Sequence, residues 1–196
     1  IGFVVGSYFL LKPNKGLGVL LGSVGDIAPR VVTVIGAGVA GTEAIKKAIA
    51  TGAHVKIIDL SEGKLEQLKQ TFGENKVEYI VSTQQTISEA LVSSDLVIGS
   101  VYVIGKQAPK VITKDMISAM KSGSVIVDIA IDQGGCIETS RPTTHDDPVF
   151  VHDGIIHYCV TNMPGAVPLT ATLALNKATM PYIEALAKEG VTKALD

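Results

Sequence analysis

Three glycines in the first quarter of the chain have the spacing of a turn that binds a phosphate group. Gly36, Gly38 and Gly41 directly follow the β-branched run Val31–Ile35 and open a segment, 39–51, with helical spacing of its apolar residues. In such a unit the first glycine makes the tight turn, the second lets a pyrophosphate approach the backbone, and the third lets the helix pack on the strand. The N–H groups at the helix start favour the phosphate charge. These residues therefore predict a dinucleotide site.

An acidic residue stands where such a site binds the ribose of the adenosine. Asp59 comes at the end of the next predicted strand, Val55–Ile58, 18 residues after Gly41. A carboxylate there accepts hydrogen bonds from the ribose hydroxyls and repels a 2′-phosphate, so NAD rather than NADP is the predicted cofactor. The alternative is an acid that only begins a helix. Lys64 is either a residue beside the adenine or a solvated helix lysine.

Strands and helices alternate along most of the chain. We expect a short helix over 1–12, a capping box at Thr86–Glu89, a helix capped by Thr113, and a last helix over about 170–188 with a bend near Pro181. The predicted strands are Val31–Ile35, Val55–Ile58, Val77–Val81, Leu96–Ile98, Val125–Val127 and Ile155–Cys159. Apolar strands that alternate with helices form right-handed βαβ units. The predicted fold is α/β, a doubly wound parallel (Rossmann) sheet of about six strands with flanking helices.

The composition narrows the class of protein. The chain has 196 residues, of which 46% are hydrophobic, and a net charge of −2. We expect no nucleic-acid partner, because there is no basic stripe, and no membrane span, because the apolar runs are shorter than roughly 20 residues. Residues 1–11 lack the basic region and cleavage site of a signal peptide. Cys136 and Cys159 have no zinc-type spacing, so no metal is predicted, and two scattered cysteines suit a reducing compartment such as the cytoplasm.

The carboxyl ends of the later strands are expected beside the same ligand, because ligands of doubly wound sheets bind beyond those ends. That position is held by Ser82, Ser100–Tyr102, Ile129–Asp132, and Asn162 with Met163. Plain loop residues occupy the same position in many proteins, so position alone leaves each of them open.

Three longer stretches are more specific than the glycine turn. They are 95–110, which includes Asp-Leu-Val-Ile-Gly and Ala-Pro-Lys; 127–136, Val-Asp-Ile-Ala-Ile-Asp-Gln-Gly-Gly-Cys; and 141–168, which includes Arg-Pro-Thr-Thr-His and Asn-Met-Pro-Gly-Ala-Val-Pro. From about Leu17 to its end, the chain resembles the NAD-binding domain of alanine dehydrogenases. Proton-translocating transhydrogenases are similar in the glycine turn, but they typically carry Glu-Gln-Gly-Gly where this chain has Asp132-Gln-Gly-Gly.

The resemblance implies cofactor contacts position by position. It also implies that Asp132 is catalytic, since a carboxylate near the nicotinamide could stabilise a cationic iminium or orient the attacking water. Tyr102 departs from the family, in which an aliphatic residue is commoner there. Asp128 and the histidines at 145, 152 and 157 are expected to be structural. The predicted cofactor contacts are Gly36, Gly38, Val39, Gly41, Asp59, Lys64, Ser82, Val101, Tyr102, Ile129, Ala130, Ile131, Asp132, Arg141, Val160, Thr161, Asn162 and Met163.

The resemblance further implies a division of the chain. Residues 1–28 would lead in from a substrate domain that the chain lacks, 29–168 would bind NAD(H), and 169–196 would return towards that domain. The expected parent interconverts L-alanine, water and NAD⁺ with pyruvate, ammonium and NADH, as a homo-oligomer that is a hexamer in the family. The lacking domain would supply an arginine, a lysine and a histidine, so the chain alone is expected to bind cofactor with little turnover. A transhydrogenase cofactor domain and a free-standing NAD-binding module are the alternatives.

Overall fold

Strands and helices alternate over most of residues 1–194, the part of the chain that the computed structural model describes. The strands are β1 (Val31–Ile35), β2 (His54–Asp59), β3 (Val77–Val81), β4 (Leu96–Gly99), β5 (Val125–Asp128), β6 (Val149–His152) and β7 (Ile155–Tyr158). The helices are α1 (Gly2–Phe9), α2 (Val39–Ala50), α3 (Glu62–Phe72), α4 (Gln84–Ser93), α5 (Lys114–Ser118) and α6 (Pro168–Ala194). Short 3-10 turns lie at Lys12–Asn14, Ile129–Gln133 and Met163–Ala166. Every strand predicted from the sequence is present, with its ends within one residue.

The strands form one sheet in the order β3-β2-β1-β4-β5-β7-β6. Neighbouring strands are parallel except for β6, which pairs antiparallel with β7. The chain builds outward from β1 to β3 and then returns to place β4 on the other side of β1, which makes β1 and β4 the switch point where doubly wound sheets bind ligands. The predicted doubly wound fold is confirmed, with seven strands in the described part of the chain rather than about six.

The additional strand is an edge strand that the sequence reading missed. β6 and β7 are joined by Asp153 and Gly154, both of which have positive φ, +49° and +79°. Two central residues with positive φ form the hairpin turn whose twist matches its strands, and Asp-Gly is a favoured pair for it. The Asp-Gly pair between Val149–His152 and Ile155–Tyr158 was therefore the available signal for this hairpin.

Two predicted helix features need correction. Helix α4 is capped by Thr83, whose side chain accepts from Thr86 N while the Thr86 side chain accepts from Thr83 N. The capping box therefore lies three residues before the predicted Thr86–Glu89. Helix α6 is longer than predicted, and its non-helical residue is Gly190, with φ of +75°, whereas Pro181 lies within the helix. A residue with positive φ breaks the helical repeat, and glycine adopts that conformation without steric cost.

The contacts divide the chain into two compact units, residues 1–161 and residues from 162 onwards. In the first unit β4, β5 and β7 are buried at every position, as expected for strands covered on both faces. Helix α1 packs on β4, β5 and β7. Its Gly6 makes this approach possible, because a Cβ there would lie 2.5 Å from Leu96 Cδ1. The predicted boundary between residues 28 and 29 stays a prediction.

A fully buried histidine lies in β7. Nδ1 of His157 is 3.0 Å from the Ile155 oxygen, and Nε2 is 2.8 Å from Thr139 Oγ1. A carbonyl oxygen can only accept, so Nδ1 carries the proton and Nε2 accepts from the threonine hydroxyl. Burial lowers the pKa of His157 below its ordinary value. These two hydrogen bonds fix the buried ring of His157, which agrees with the structural role that the sequence analysis expects for it.

The lowered pKa of His157 predicts a pH-dependent stability. Because the folded-state pKa lies below the unfolded value of about 6.5, unfolding takes up a proton in the window below that pH. The contribution of neutral His157 is therefore complete above about pH 6.5 and is lost as the pH falls towards the folded-state pKa. We expect the melting temperature to fall less steeply with decreasing pH in His157→Asn than in the wild type. Equal slopes in His157→Asn and the wild type would contradict the prediction.

The hairpin turn predicts a second stability effect. In Gly154→Ala the new Cβ would lie 2.6 Å from Ser122 Oγ and the backbone would keep a φ of +79°. We expect a loss of about 1–3 kcal/mol in the free energy of unfolding, measured by urea denaturation. Gly63→Ala is the matched control, because a Cβ there meets nothing within 4 Å in helix α3. It should gain about 0.5–1 kcal/mol, and a loss of similar size in both variants would refute the turn argument.

Candidate dinucleotide-binding site

The glycine turn lies between β1, β2 and the end of β4. Gly36 has a φ of +89°, and its N–H donates to the Ile58 oxygen over 2.8 Å. The buried Ser100 Oγ donates to the Gly36 oxygen over 2.5 Å. A Cβ on Gly36 would lie 2.7 Å from the Ser100 oxygen, and one on Gly41 would strike the Gly36 oxygen and lie 2.6 Å from Ser100 Oγ. The predicted roles of the first and third glycines, the tight turn and the close packing of the helix, are therefore confirmed.

Gly38 has different surroundings. A Cβ on this residue would meet no described atom within 4 Å, although the residue lines the cleft at the edge of the sheet. Gly38 is also the N-cap of α2. The first N–H groups of a helix have no partner within the helix, and a glycine N-cap has no side chain to supply one. The space in front of this turn suits a pyrophosphate that approaches the backbone.

The acid at the end of β2 is bound to the glycine turn itself. Asp59 Oδ2 accepts from Ala37 N over 2.7 Å, and Oδ1 accepts from Ser61 N over 2.9 Å. Each carboxylate oxygen has a second acceptor position, so the group can still accept from hydroxyls. Asp59 therefore joins the glycine turn to the start of α3, where Ser61 caps the helix by accepting from Lys64 N.

A mainly apolar cleft of about 950 Å³ opens at the carboxyl ends of β1 to β5. Its volume is in the range of ordinary ligand sites. A dinucleotide whose adenosine lies at Asp59 would cross the ends of β1 and β4 and bring its other half towards residues 129–133. The open space at Gly38, the carboxylate at β2 and the apolar wall fit the NAD that the sequence predicts.

The cleft brings together most of the predicted cofactor contacts. Those that line it are Gly36, Gly38, Val39, Asp59, Lys64, Ser82, Val101, Tyr102, Ile129, Ala130 and Asp132. They lie at five strand ends, those of β1 to β5, and on α3, as predicted, and Lys64 lines the cleft from α3. The assignment of each as a contact stays a prediction.

Other predicted contacts do not line the cleft. Gly41 and Ile131 are buried. The Arg141 guanidinium lies 4.2 Å from the ring centroid of Phe150. Val160 is buried and pairs with Thr143, whose oxygen accepts from Thr161 N. Asn162 and Met163 begin the second unit.

Further residues line the cleft without having been assigned to the site from sequence. They are Ile35, Ala40, Ile58, Leu60, Thr83, Gln84, Ile87, Val103, Pro109, Val111 and Gln133. Ser100, which was expected beside the ligand from its place after β4, also lines the cleft. Several directly adjoin the predicted strand ends, so position was an available signal for them. The 103–111 segment is different, because a long-range bond such as that from Ala108 N to the Gln133 oxygen, 3.1 Å, fixes its place. Such a bond leaves no local pattern.

The two cysteines are buried thiols. Burial, followed by the negative charge of Asp128, raises the pKa of the Cys136 thiol far above its ordinary range. Burial raises the pKa of Cys159 to about 11. Because the thiolate is the nucleophile, neither is suited to nucleophilic chemistry at neutral pH. The interpretation of both as small buried residues is confirmed.

Together the fold and the glycine turn define a dinucleotide-binding domain of the Rossmann type. The chain belongs to the alanine dehydrogenase/PNT family, since residues 2–196 match the model of that family's C-terminal domain. Among the described residues, no helix combines the length and the apolar character needed to cross a membrane.

Named relatives support the same assignment. The alanine dehydrogenase of Halomonas elongata is 51% identical over 190 residues, which are 97% of this chain and 51% of the relative. The alanine dehydrogenase of Staphylococcus haemolyticus is 51% identical over 191 residues, with the same coverage. The chain thus spans about half the length of the curated relatives it matches.

Solved structures agree with the sequence relatives. An L-alanine dehydrogenase superposes with a TM-score of 0.92 at 46% identity, over 99% of this chain and 53% of that one. The transhydrogenase of Sinorhizobium meliloti superposes with a TM-score of 0.76 at 26% identity, over 94% of this chain and 56% of that one.

The glycine turn predicts different losses of stability for substitutions at Gly38 and Gly41. Gly41→Ala places a Cβ against the Gly36 oxygen and Ser100 Oγ, so we expect a loss of about 2–4 kcal/mol in the free energy of unfolding. Gly38→Ala places its Cβ in open space and should change that free energy by less than about 1 kcal/mol. Urea denaturation measures both, and equal losses would show that the turn does not distinguish the two positions.

Proposed function

We propose that this chain is the NAD(H)-binding part of an L-alanine dehydrogenase, which interconverts L-alanine, water and NAD⁺ with pyruvate, ammonium and NADH. The observation that carries the proposal is the 51% identity to alanine dehydrogenases over 97% of the chain. The glycine turn and Asp59, which face one cleft, add support from the geometry. Because the chain covers about half of those relatives, the groups that bind the amino acid are assigned to the rest of the whole protein.

NAD would bind along the carboxyl edge of the sheet. Asp59 would accept hydrogen bonds from the adenosine ribose, and Lys64 would lie beside the adenine. The backbone at Gly38 and Val39 would face the pyrophosphate. The carboxylate of Asp59 disfavours a 2′-phosphate through charge repulsion, which is the reason to expect NAD rather than NADP.

The nicotinamide, which is the reactive end of the cofactor, would lie at the turn after β5. Bound NAD⁺ supplies the acceptor for the hydride that leaves the substrate Cα. Asp132 lies in the 3-10 turn Ile129–Gln133, is exposed and lines the cleft. A carboxylate at this point would stabilise the positive charge of the substrate iminium and orient the water that attacks it.

The transhydrogenase alternative has less support. The identity to the transhydrogenase structure is 26%, against 46% to the L-alanine dehydrogenase structure. Asp132 also replaces the glutamate that transhydrogenases typically carry. A cytoplasmic location and a homo-oligomeric, hexameric parent are part of the alanine dehydrogenase proposal.

Calorimetric titration of the chain with NAD⁺ and NADP⁺ tests the cofactor assignment. We expect NAD⁺ to bind at least about tenfold more tightly, a difference of about 1.4 kcal/mol. Asp59→Asn should weaken the binding of NAD⁺. It should also reduce the preference for NAD⁺ over NADP⁺, because it removes the charge that repels the 2′-phosphate.

Glu62→Gln is the matched control for that substitution. It removes a negative charge from the exposed first turn of α3, three residues from Asp59. It should leave the preference unchanged. Equal affinity of the wild type for the two cofactors, or the same effect of both substitutions, would contradict the role of Asp59.

A further inference from the structure

Two aspartates are buried at opposite ends of the sheet. Asp95, 2% exposed, precedes β4 and accepts from Val31 N over 2.9 Å and from Lys121 Nζ over 3.0 Å. Asp128 is fully buried and ends β5 on the side of the cleft. Burying a carboxylate is costly unless donors satisfy its oxygens. Each aspartate therefore marks a place where the chain is fixed by several hydrogen bonds.

The donors to Asp128 belong to both ends of one segment, residues 130–137. Oδ1 accepts from Ala130 N over 3.1 Å, and Oδ2 accepts from Cys136 N over 3.0 Å and from Ile137 N over 3.3 Å. The Cys136 thiol lies 3.5 Å from Oδ1. The carboxylate therefore closes this segment into a loop, and the outer part of the loop carries Asp132.

The paired glycines of the loop follow from this closure. Gly134 has a φ of +89° and ends the 3-10 turn. Gly135 has a φ of +75°, and a Cβ on it would lie 2.6 Å from Asp128 Oδ2. A side chain at either position would be strained, and one at Gly135 would also push the loop away from the carboxylate.

A lysine fixes the same loop from the solvent side. Lys110 Nζ donates to the Gly134 oxygen over 2.5 Å and to the Ile137 oxygen over 3.1 Å. The loop is thus bound to a buried carboxylate on its inner side and to an exposed ammonium on its outer side.

We propose that Asp128 is a positioning residue for the nicotinamide half of the cofactor, and that Lys110 supports the same loop. The inference rests on the proposed function, which places the nicotinamide at residues 129–132. Ala130 and Asp132 belong to this loop and line the cleft. The adenosine half depends on Asp59 and the glycine turn, which lie on the other side of the β1–β4 switch point. Loosening the loop therefore affects one half of the cofactor.

The experiment compares NADH with ADP-ribose, which lacks the nicotinamide, by calorimetric titration of the whole chain. Asp128→Asn keeps the side-chain volume but turns one acceptor oxygen into a donor that faces backbone N–H groups. We expect this variant to bind NADH at least about fivefold more weakly, since unsatisfied buried groups have effects of that order. Its affinity for ADP-ribose should stay within about twofold, and the fluorescence of bound NADH should shift towards that of free NADH.

Asp95→Asn is the matched control, a buried aspartate at the far end of the sheet. Like Asp128→Asn, it should lower the melting temperature. Its affinities for NADH and for ADP-ribose should nevertheless both stay within about twofold of the wild type. Lys110→Met removes the two hydrogen bonds to the Gly134 and Ile137 oxygens without burying a new polar group, and it should show a smaller loss that is again selective for NADH. If Asp128→Asn does not fold, the Lys110→Met result decides.

Three outcomes would overturn the inference. They are unchanged NADH binding in folded Asp128→Asn, equal weakening of NADH and ADP-ribose, and unchanged NADH binding in Lys110→Met when the first variant does not fold. If the wild type binds ADP-ribose and NADH, these outcomes count against the role of Asp128 and leave the proposed function standing. If the folded wild type binds neither, the proposed function and the inference about Asp128 are both overturned.

Discussion

The close approach of the glycine turn to the end of β4 determines where the rest of the site can lie. Ser100 Oγ donates to the Gly36 oxygen, and a Cβ on Gly41 would collide with both of these atoms. A Cβ on Gly36 would collide with the Ser100 backbone. Backbones can approach this closely only where side chains are absent. The approach fixes the start of α2 at the switch point. The cleft forms there because β2 lies on one side of β1, whereas β4 and β5 lie on the other side.

Asp59 shows how one residue can serve both the fold and a ligand. Its two oxygens accept from Ala37 N and Ser61 N, so it orders the glycine turn and the start of α3 before any ribose is bound. A carboxylate has more acceptor positions than those two bonds use. A change at Asp59 therefore acts on the backbone of the turn as well as on the charge that faces the cofactor.

The two buried aspartates illustrate a division of labour along the strands. Asp95 joins the amino end of β1 to Lys121, and these contacts concern only the packing of the sheet. Asp128 binds a loop that faces the cleft. Ligands bind at the carboxyl ends of parallel strands, so equally buried carboxylates have different consequences at the two ends.

The sequence alone determined the six parallel strands and the glycine turn with its acid, because each has a local pattern. Continuous apolar runs indicate strands covered on both faces, and the strand–glycine–helix order is confined to a few residues. The Asp153-Gly154 hairpin also had a local signal, although the strand before it was missed.

Only the tertiary structure decided which strand-end residues share the cleft and what holds them there. Lys110 reaches the Gly134 and Ile137 oxygens, and Ala108 N reaches the Gln133 oxygen, across more than twenty positions of sequence. From the sequence, Asp128 is only an acid at the end of a strand. Its role in closing the loop depends on the donors Cys136 N and Ile137 N, which the fold brings back to it. Contacts between segments that are distant in sequence depend on the path of the whole chain, so no periodicity or motif within one segment reports them.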